Sequence, residues 1–121
     1  MGVRVLIVDD DKLLLAGMKR LLSQYDVVGA VTTEEAVDLV TRERFQAVIT
    51  DYRVPTTNGV GLLQIVAEAS PSTRRYLMSG NGADRFTEHV SSALVHRMFP
   101  KPLDVHALRS ELATLAAPVS D

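Results

Sequence analysis

Apolar, β-branched segments alternate with amphipathic segments five times along this chain of 121 residues. The first apolar segment, at 3–8, reads VRVLIV, which is typical of a strand buried on both faces. The next segment, at 11–25, carries leucine and methionine residues at helical spacing. Strands separated by helices of this length run parallel, with right-handed crossovers and with helices on both faces of the sheet. The alternation therefore predicts a single α/β domain.

The same reasoning sets the predicted elements along the chain. Thr32 and Glu35 fit a capping box, Asn58 is a predicted helix cap, and we assign Asp11 to capping the first helix. The predicted strands are 3–8, 26–31, 45–50, 73–79 and 95–99, and the predicted helices are 11–25, 32–43, 58–69, 83–94 and 104–117.

Composition narrows the classes of function. The chain has 13 basic and 15 acidic residues, so its charge does not indicate a nucleic-acid partner. It has no cysteine, which excludes disulfides and thiolate metal sites. Its apolar runs are shorter than the ~20 residues that span a bilayer, and its N-terminal apolar run is too short for a signal peptide. We therefore expect a cytoplasmic domain that binds neither nucleic acid nor membrane directly.

Candidate functional side chains follow four of the five predicted strands, whereas the second is followed only by Thr32 and Thr33. The carboxyl ends of parallel strands meet at one edge of the sheet, and the functional crevice of such a sheet lies there. We therefore expect these residues to lie close together. They are Asp9, Asp10 and Asp11 after the first strand, Asp51 after the third, Ser79 after the fourth and Lys101 after the fifth.

This set of side chains indicates a particular chemistry. Two or three carboxylates that are close enough to repel one another cost free energy unless a cation neutralises them. Hard oxygen ligands in a small cluster suit Mg²⁺. A lysine and a hydroxyl across the same crevice would hold the oxygens of a phosphoryl group. The residues therefore point to phosphoryl transfer onto a carboxylate.

Four motifs lie one each at the end of the first, third, fourth and fifth strands, and they read LIVDDD, ITDYRVPTTNG, YLMSGNG and MFPKP. They resemble the motifs of a receiver domain of a two-component response regulator, of the chemotaxis-regulator type. The similarity implies a doubly wound, flavodoxin-like fold, with a five-stranded parallel sheet in the order 2-1-3-4-5 and five helices. It runs over about residues 3–117, so we expect a receiver domain at 1–117 and a C-terminal tail or the start of a linker at 118–121.

The resemblance also implies a metal site. Asp10 and Asp51 would ligate Mg²⁺ directly, and Asp9 would act through an intervening water molecule. The backbone carbonyl of Arg53 would complete the protein ligands.

The resemblance assigns the remaining roles to three residues. Asp51 would be the phosphoacceptor, taking its phosphoryl group from a phosphohistidine on a partner kinase. Ser79 would be the switch hydroxyl, and Lys101 would pair with the phosphoryl group. The peptide bond between Lys101 and Pro102 would be cis.

Some residues depart from the family pattern or play no part in it. Met98 occupies the position of the usual switch aromatic, and we assign the neighbouring Phe99 to the core. Pro100 is tolerable if the fifth strand lies at a sheet edge. We interpret Arg74 and Arg75 as solvated residues.

The implied partners are a histidine kinase or phosphotransfer protein and an output domain or downstream protein, with homodimer formation on activation left open. The chain would be an enzyme only in catalysing its own phosphorylation and dephosphorylation. Two alternatives remain. A Mg²⁺-dependent phosphohydrolase of the haloacid-dehalogenase type needs Asp-x-Asp-x-Thr/Val, whereas DDDKL ends on Leu13. A phosphorylation-independent binding module would have no reason to retain the whole set of site residues.

Overall fold

The computed structural model describes residues 2–54, 57–80 and 93–115. Within them, five strands form one parallel sheet, two short strands form an antiparallel pair, and there are four helices. The sheet strands are β1 (Arg4–Val8), β2 (Asp26–Ala30), β3 (Ala47–Asp51), β6 (Arg74–Ser79) and β7 (Arg97–Pro100). The short pair is β4 (Arg53–Val54) and β5 (Thr57–Asn58). The helices are α1 (Lys12–Leu21), α2 (Thr33–Arg42), α3 (Gly59–Ala69) and α4 (Val105–Ala113).

The sheet order is β2-β1-β3-β6-β7, and all four pairings are parallel. If only the sheet strands are counted, this is the predicted order 2-1-3-4-5, and the fold class is confirmed. β7 lies at the edge of the sheet, where Pro100 is tolerated because the strand has a neighbour on one side only. The predicted helix at 83–94 lies outside the described residues, except that residues 93 and 94 form a turn.

Each described helix begins directly after a short polar side chain that accepts hydrogen bonds from the first turn. Asp11 accepts from the N–H groups of Leu13 and Leu14, and Thr32 accepts from that of Glu35. Asn58 and Asp104 serve α3 and α4 in the same way. The three predicted caps are confirmed, because these side chains satisfy backbone donors that have no partner within the helix.

The helices cover both faces of the sheet. Side chains alternate along β1, so that Val5 and Ile7 join one core cluster and Leu6 and Val8 join the other. The first cluster includes side chains of α1 and α4, and the second includes side chains of α2 and α3. The pair α1 and α4 therefore lies on the opposite face of the sheet from the pair α2 and α3.

The interpretation of Arg75 as a solvated residue is wrong. Its guanidinium is buried and donates hydrogen bonds to four backbone carbonyls, because a buried cation must satisfy its N–H groups. Burial lowers the pKa of Arg75, and the charge of Arg74 lowers it further. The side chain of Arg74 is 40% exposed. The accepting carbonyls belong to Pro71, Thr73, Ala93 and Leu94.

Candidate functional site

The acidic residues converge where β1 and β3 end side by side. Val8 pairs with Thr50 in the parallel ladder, so Asp9 and Asp51 leave the sheet at the same edge. Asp10 lies beside them, and one carboxylate oxygen from each of the three residues lies within 4.8 Å of the others. The structure therefore brings the predicted acidic cluster together.

Asp9 is the buried member of the cluster, with 1% of its surface exposed. Its Oδ1 accepts a hydrogen bond of 2.9 Å from the backbone N–H of Asp11, and its Oδ2 accepts one of 2.8 Å from Lys101 Nζ. Asp11 thus has a second contact besides its helix cap. The sequence carries no signal for it, because the contact depends on the turn of the backbone between β1 and α1.

Lys101 reaches the cluster from the end of β7, the edge strand. Besides contacting Asp9, its Nζ lies 3.2 Å from Asp51 Oδ2. Its backbone N–H donates to the carbonyl of Ser79, which is buried at the end of β6. The Lys101–Pro102 bond is cis, as expected. Lys101 is therefore tied through its side chain to the acidic cluster and through its backbone to Ser79.

Opposing effects act on the two partners of this ion pair. Burial raises the pKa of Asp51, and the charge of Asp9 also raises it. Lys101 and a hydrogen bond from the Arg53 backbone act in the opposite direction without cancelling the increase. Burial lowers the pKa of Lys101, but its contacts with Asp9 and Asp51 outweigh burial and raise that pKa above its ordinary value. Lys101 therefore stays protonated at neutral pH, whereas a negative charge on Asp51 is costly.

The donor set of the cluster fits a divalent cation. Asp9, Asp10 and Asp51 supply three carboxylates, and Lys101 is the one cation in contact with them among the described residues. When all four are ionised, two negative charges stay uncompensated, which matches one divalent ion. Carboxylate oxygens are the ligands that Mg²⁺ prefers in proteins.

The start of α3 is packed directly against the end of β3. A Cβ atom on Gly59 would collide with the backbone carbonyl oxygen of Asp51, and it would come within 3.0 Å of side-chain atoms of Thr50 and Leu77. The Gly59 N–H donates to the Tyr52 carbonyl over 2.8 Å. Glycine is therefore required at this position for steric reasons, and its close approach holds the backbone of Asp51 in place.

The remaining predicted positions differ in their exposure to solvent. The Arg53 side chain is exposed, and its residue pairs with Asn58 in the short antiparallel ladder. Met98 is 41% exposed, whereas Phe99 is 2% exposed and packs edge-on against Tyr76. The assignment of Phe99 to the core is confirmed.

Comparison with known proteins agrees with this architecture. Residues 5–113 match the family described as the response regulator receiver domain. Sporulation initiation phosphotransferase F of Bacillus subtilis is 30% identical over 117 residues, which cover 90% of each chain. The response regulator protein PilR of Pseudomonas aeruginosa is 30% identical over 115 residues, which cover 92% of this chain and 25% of PilR.

A solved structure extends the comparison to the fold. The signal receiver domain of an HD domain-containing protein from Pseudomonas fluorescens superposes with a TM-score of 0.84 at 25% identity, over 94% of this chain and 86% of that chain.

Several curated relatives are much longer, and this chain spans about a third or less of their length. None of the described helices has the length and apolar character needed to cross a membrane. Because the family match covers nearly the whole chain, the protein belongs to the response regulator receiver domain family.

Proposed function

We propose that this receiver domain accepts a phosphoryl group on Asp51 and changes its interaction surface in response. One observation carries the assignment to Asp51. Its side chain is partly accessible, at 14% exposure, and also lies against Lys101 Nζ. Asp9 also contacts Lys101 but is only 1% exposed, whereas Asp10 is exposed but forms no ion pair with Lys101 in the described part of the chain. Asp51 alone among the three acidic residues combines access with a cationic neighbour.

The proposed reaction uses the carboxylate of Asp51, the ammonium of Lys101 and the hydroxyl of Ser79. A carboxylate oxygen of Asp51 attacks the phosphorus of a phosphohistidine on a histidine kinase or phosphotransfer protein. The P–N bond of the donor breaks, and its electron pair leaves on the imidazole nitrogen. Lys101 Nζ, which contacts two carboxylates, is positioned to pair with the new phosphoryl oxygens. Ser79, at the end of the adjacent strand, would donate its hydroxyl to another of those oxygens.

The metal site would be formed by the same cluster. Asp10, Asp51 and the backbone carbonyl of Arg53 would hold Mg²⁺ directly, and Asp9 would contribute through water. The bound ion would supply the positive charge that lets an anionic phosphoryl group approach three carboxylates.

Signal output would follow from the two contacts of Lys101. When Lys101 and Ser79 turn toward the phosphoryl group, the bonds from Lys101 to Asp9 and Asp51 are exchanged for new ones. The backbone hydrogen bond between Lys101 and Ser79 couples the ends of β6 and β7, so the change is transmitted to the edge of the sheet. An output domain or downstream protein would read this edge. We place the domain in the cytoplasm, with its end near residue 117.

The test is the intact mass of the chain after incubation with Mg²⁺ and acetyl phosphate. We expect a single labile phosphoryl adduct on the wild type and none on Asp51→Asn. Asp38→Asn, which removes an exposed carboxylate of α2, is the matched control and should be labelled like the wild type.

Two results would contradict the proposal. Labelling of Asp51→Asn at the wild-type level would show that the phosphoryl group is carried elsewhere. Binding of Mg²⁺ without any adduct on the wild type would favour a phosphorylation-independent binding module.

A further inference from the structure

Helix α1 presents an exposed leucine within a basic surface. Leu13 is 85% exposed and Leu21 is 48% exposed. Lys12, Lys19 and Arg20 are also exposed, and α1 contains no acidic residue. The nearest acidic residues in sequence are those of the acidic turn that follows β1, before the helix, and Asp26 after it, which pairs with Arg4. We call this surface the α1 face.

An acidic groove lies on the other side of the sheet, between α2 and α3. Its volume is about 470 Å³, and Ile65 in its wall is 38% exposed. The groove is lined by Thr33, Glu34, Val37, Asp38, Thr41 and Ile65. Apolar side chains from both helices thus line a space whose α2 side carries carboxylates.

The charges of the two surfaces are complementary. Helices α2 and α3 together contain four acidic residues against one arginine, Arg42, which pairs with Asp38. Helix α1 contains three basic residues and no acidic one. Both α1 and α2 have 10 residues, so each is about 15 Å long, and one can lie along the other.

We propose that α1 of one copy of this chain docks into the α2–α3 groove of a second copy. Leu13 would lie against Val37 and Ile65, with the basic residues of α1 facing Glu34 and Asp38. Because α1 and the groove lie on opposite faces of the sheet, the contact is heterologous. The chains would stack head to tail instead of forming a closed symmetric pair. The contact needs no phosphoryl group and goes beyond the proposed phosphoacceptor function.

The first test is the mass of the unphosphorylated full chain in sedimentation equilibrium, over a concentration series up to about 1 mM, where weak contacts become populated. We expect the weight-average mass to rise with concentration at low salt. We expect a smaller rise at high salt, because screening weakens exposed charge pairs. A mass that stays at the monomer value throughout would overturn the proposal.

Two charge-reversal variants locate the contact. Lys19→Glu with Arg20→Glu damages the α1 face and leaves the groove intact. Glu34→Lys with Asp38→Lys damages the groove and leaves the α1 face intact. Each variant alone should remain monomeric, whereas their mixture should form a 1:1 dimer through the one intact surface of each. That dimer cannot extend further.

The remaining outcomes decide the proposal. Association of either variant alone at the wild-type level would overturn it. So would a monomeric mixture under conditions where the wild type associates, provided that circular dichroism shows both variants folded. Leu13→Ser should also abolish association of an otherwise unchanged chain. If this variant associates as strongly as the wild type, Leu13 is not the apolar anchor and the proposed contact is overturned.

Discussion

Replacing Lys101 by methionine should expose the electrostatic cost of the acidic cluster. The substitution keeps most of the apolar stem and removes an ammonium that lies 2.8 Å from Asp9 Oδ2 and 3.2 Å from Asp51 Oδ2. Breaking a buried pair by removing one partner costs about 3–5 kcal/mol. Lys101 is 27% exposed, and Asp9 keeps its bond from the Asp11 backbone, so water and that bond reduce the cost. We expect a loss of about 1–3 kcal/mol in the free energy of unfolding without metal.

Mg²⁺ should reverse much of this loss. The ion and the ammonium would neutralise the same carboxylates, so removing one strengthens binding of the other. A ligand that binds only the folded chain stabilises it according to its concentration relative to Kd. The variant should therefore gain more stability from Mg²⁺ than the wild type does.

Urea unfolding of both chains, in EDTA and in MgCl₂, measures these differences directly. Lys12→Met, which removes an exposed lysine of α1, controls for the change of side chain and should alter neither quantity appreciably. The reasoning is refuted if Lys101→Met costs less than about 0.5 kcal/mol in EDTA, the size of an ordinary surface substitution. Equal stabilisation of variant and wild type by Mg²⁺ would refute the shared-charge argument.

Two further predictions concern the stability of the folded chain. Gly59→Ala should destabilise the chain by about 1–3 kcal/mol in urea unfolding, because the new Cβ collides with the Asp51 carbonyl. Gly17→Ala in α1, where the added Cβ has no neighbour within 4 Å, should instead stabilise it by about 0.5–1 kcal/mol, and equal effects would contradict the steric argument. Burial lowers the pKa of His96 below 6.5, and nearby arginine charges lower it further. The unfolded chain therefore binds a proton more readily, and stability should fall as the pH drops below about 6.5. His96→Asn, which can still accept from the Arg75 N–H, should lose less stability than the wild type across this range, and parallel pH curves would count against the assignment.

The fold and the acidic cluster were predictable because they depend on local patterns. Apolar runs set the strands, and short polar residues such as Thr32 and Asn58 set the helix starts. A carboxylate placed directly after a strand stays at the strand's end in any parallel sheet. Asp9 and Asp51 therefore lie close together, because β1 and β3 are neighbours in the sheet.

The burial of Arg75 could not be predicted from local sequence patterns. Its burial depends on four carbonyls from two separate segments, one before β6 and one before β7. An arginine at the start of a strand is solvated unless such acceptors converge on it, and no local pattern reports that convergence. The hydrogen bond from the Asp11 backbone to Asp9 escaped prediction for the same reason, since it requires a specific turn.

The sequence by itself determined the five sheet strands, the four described helices, three of their caps and the residues that reach the functional edge, because periodicity and strand ends are properties of neighbouring residues. The tertiary structure alone decided which acid is buried, that Lys101 spans two carboxylates, and that Gly59 touches the backbone of Asp51. These features depend on distances between residues far apart in the chain, which packing of the whole domain sets.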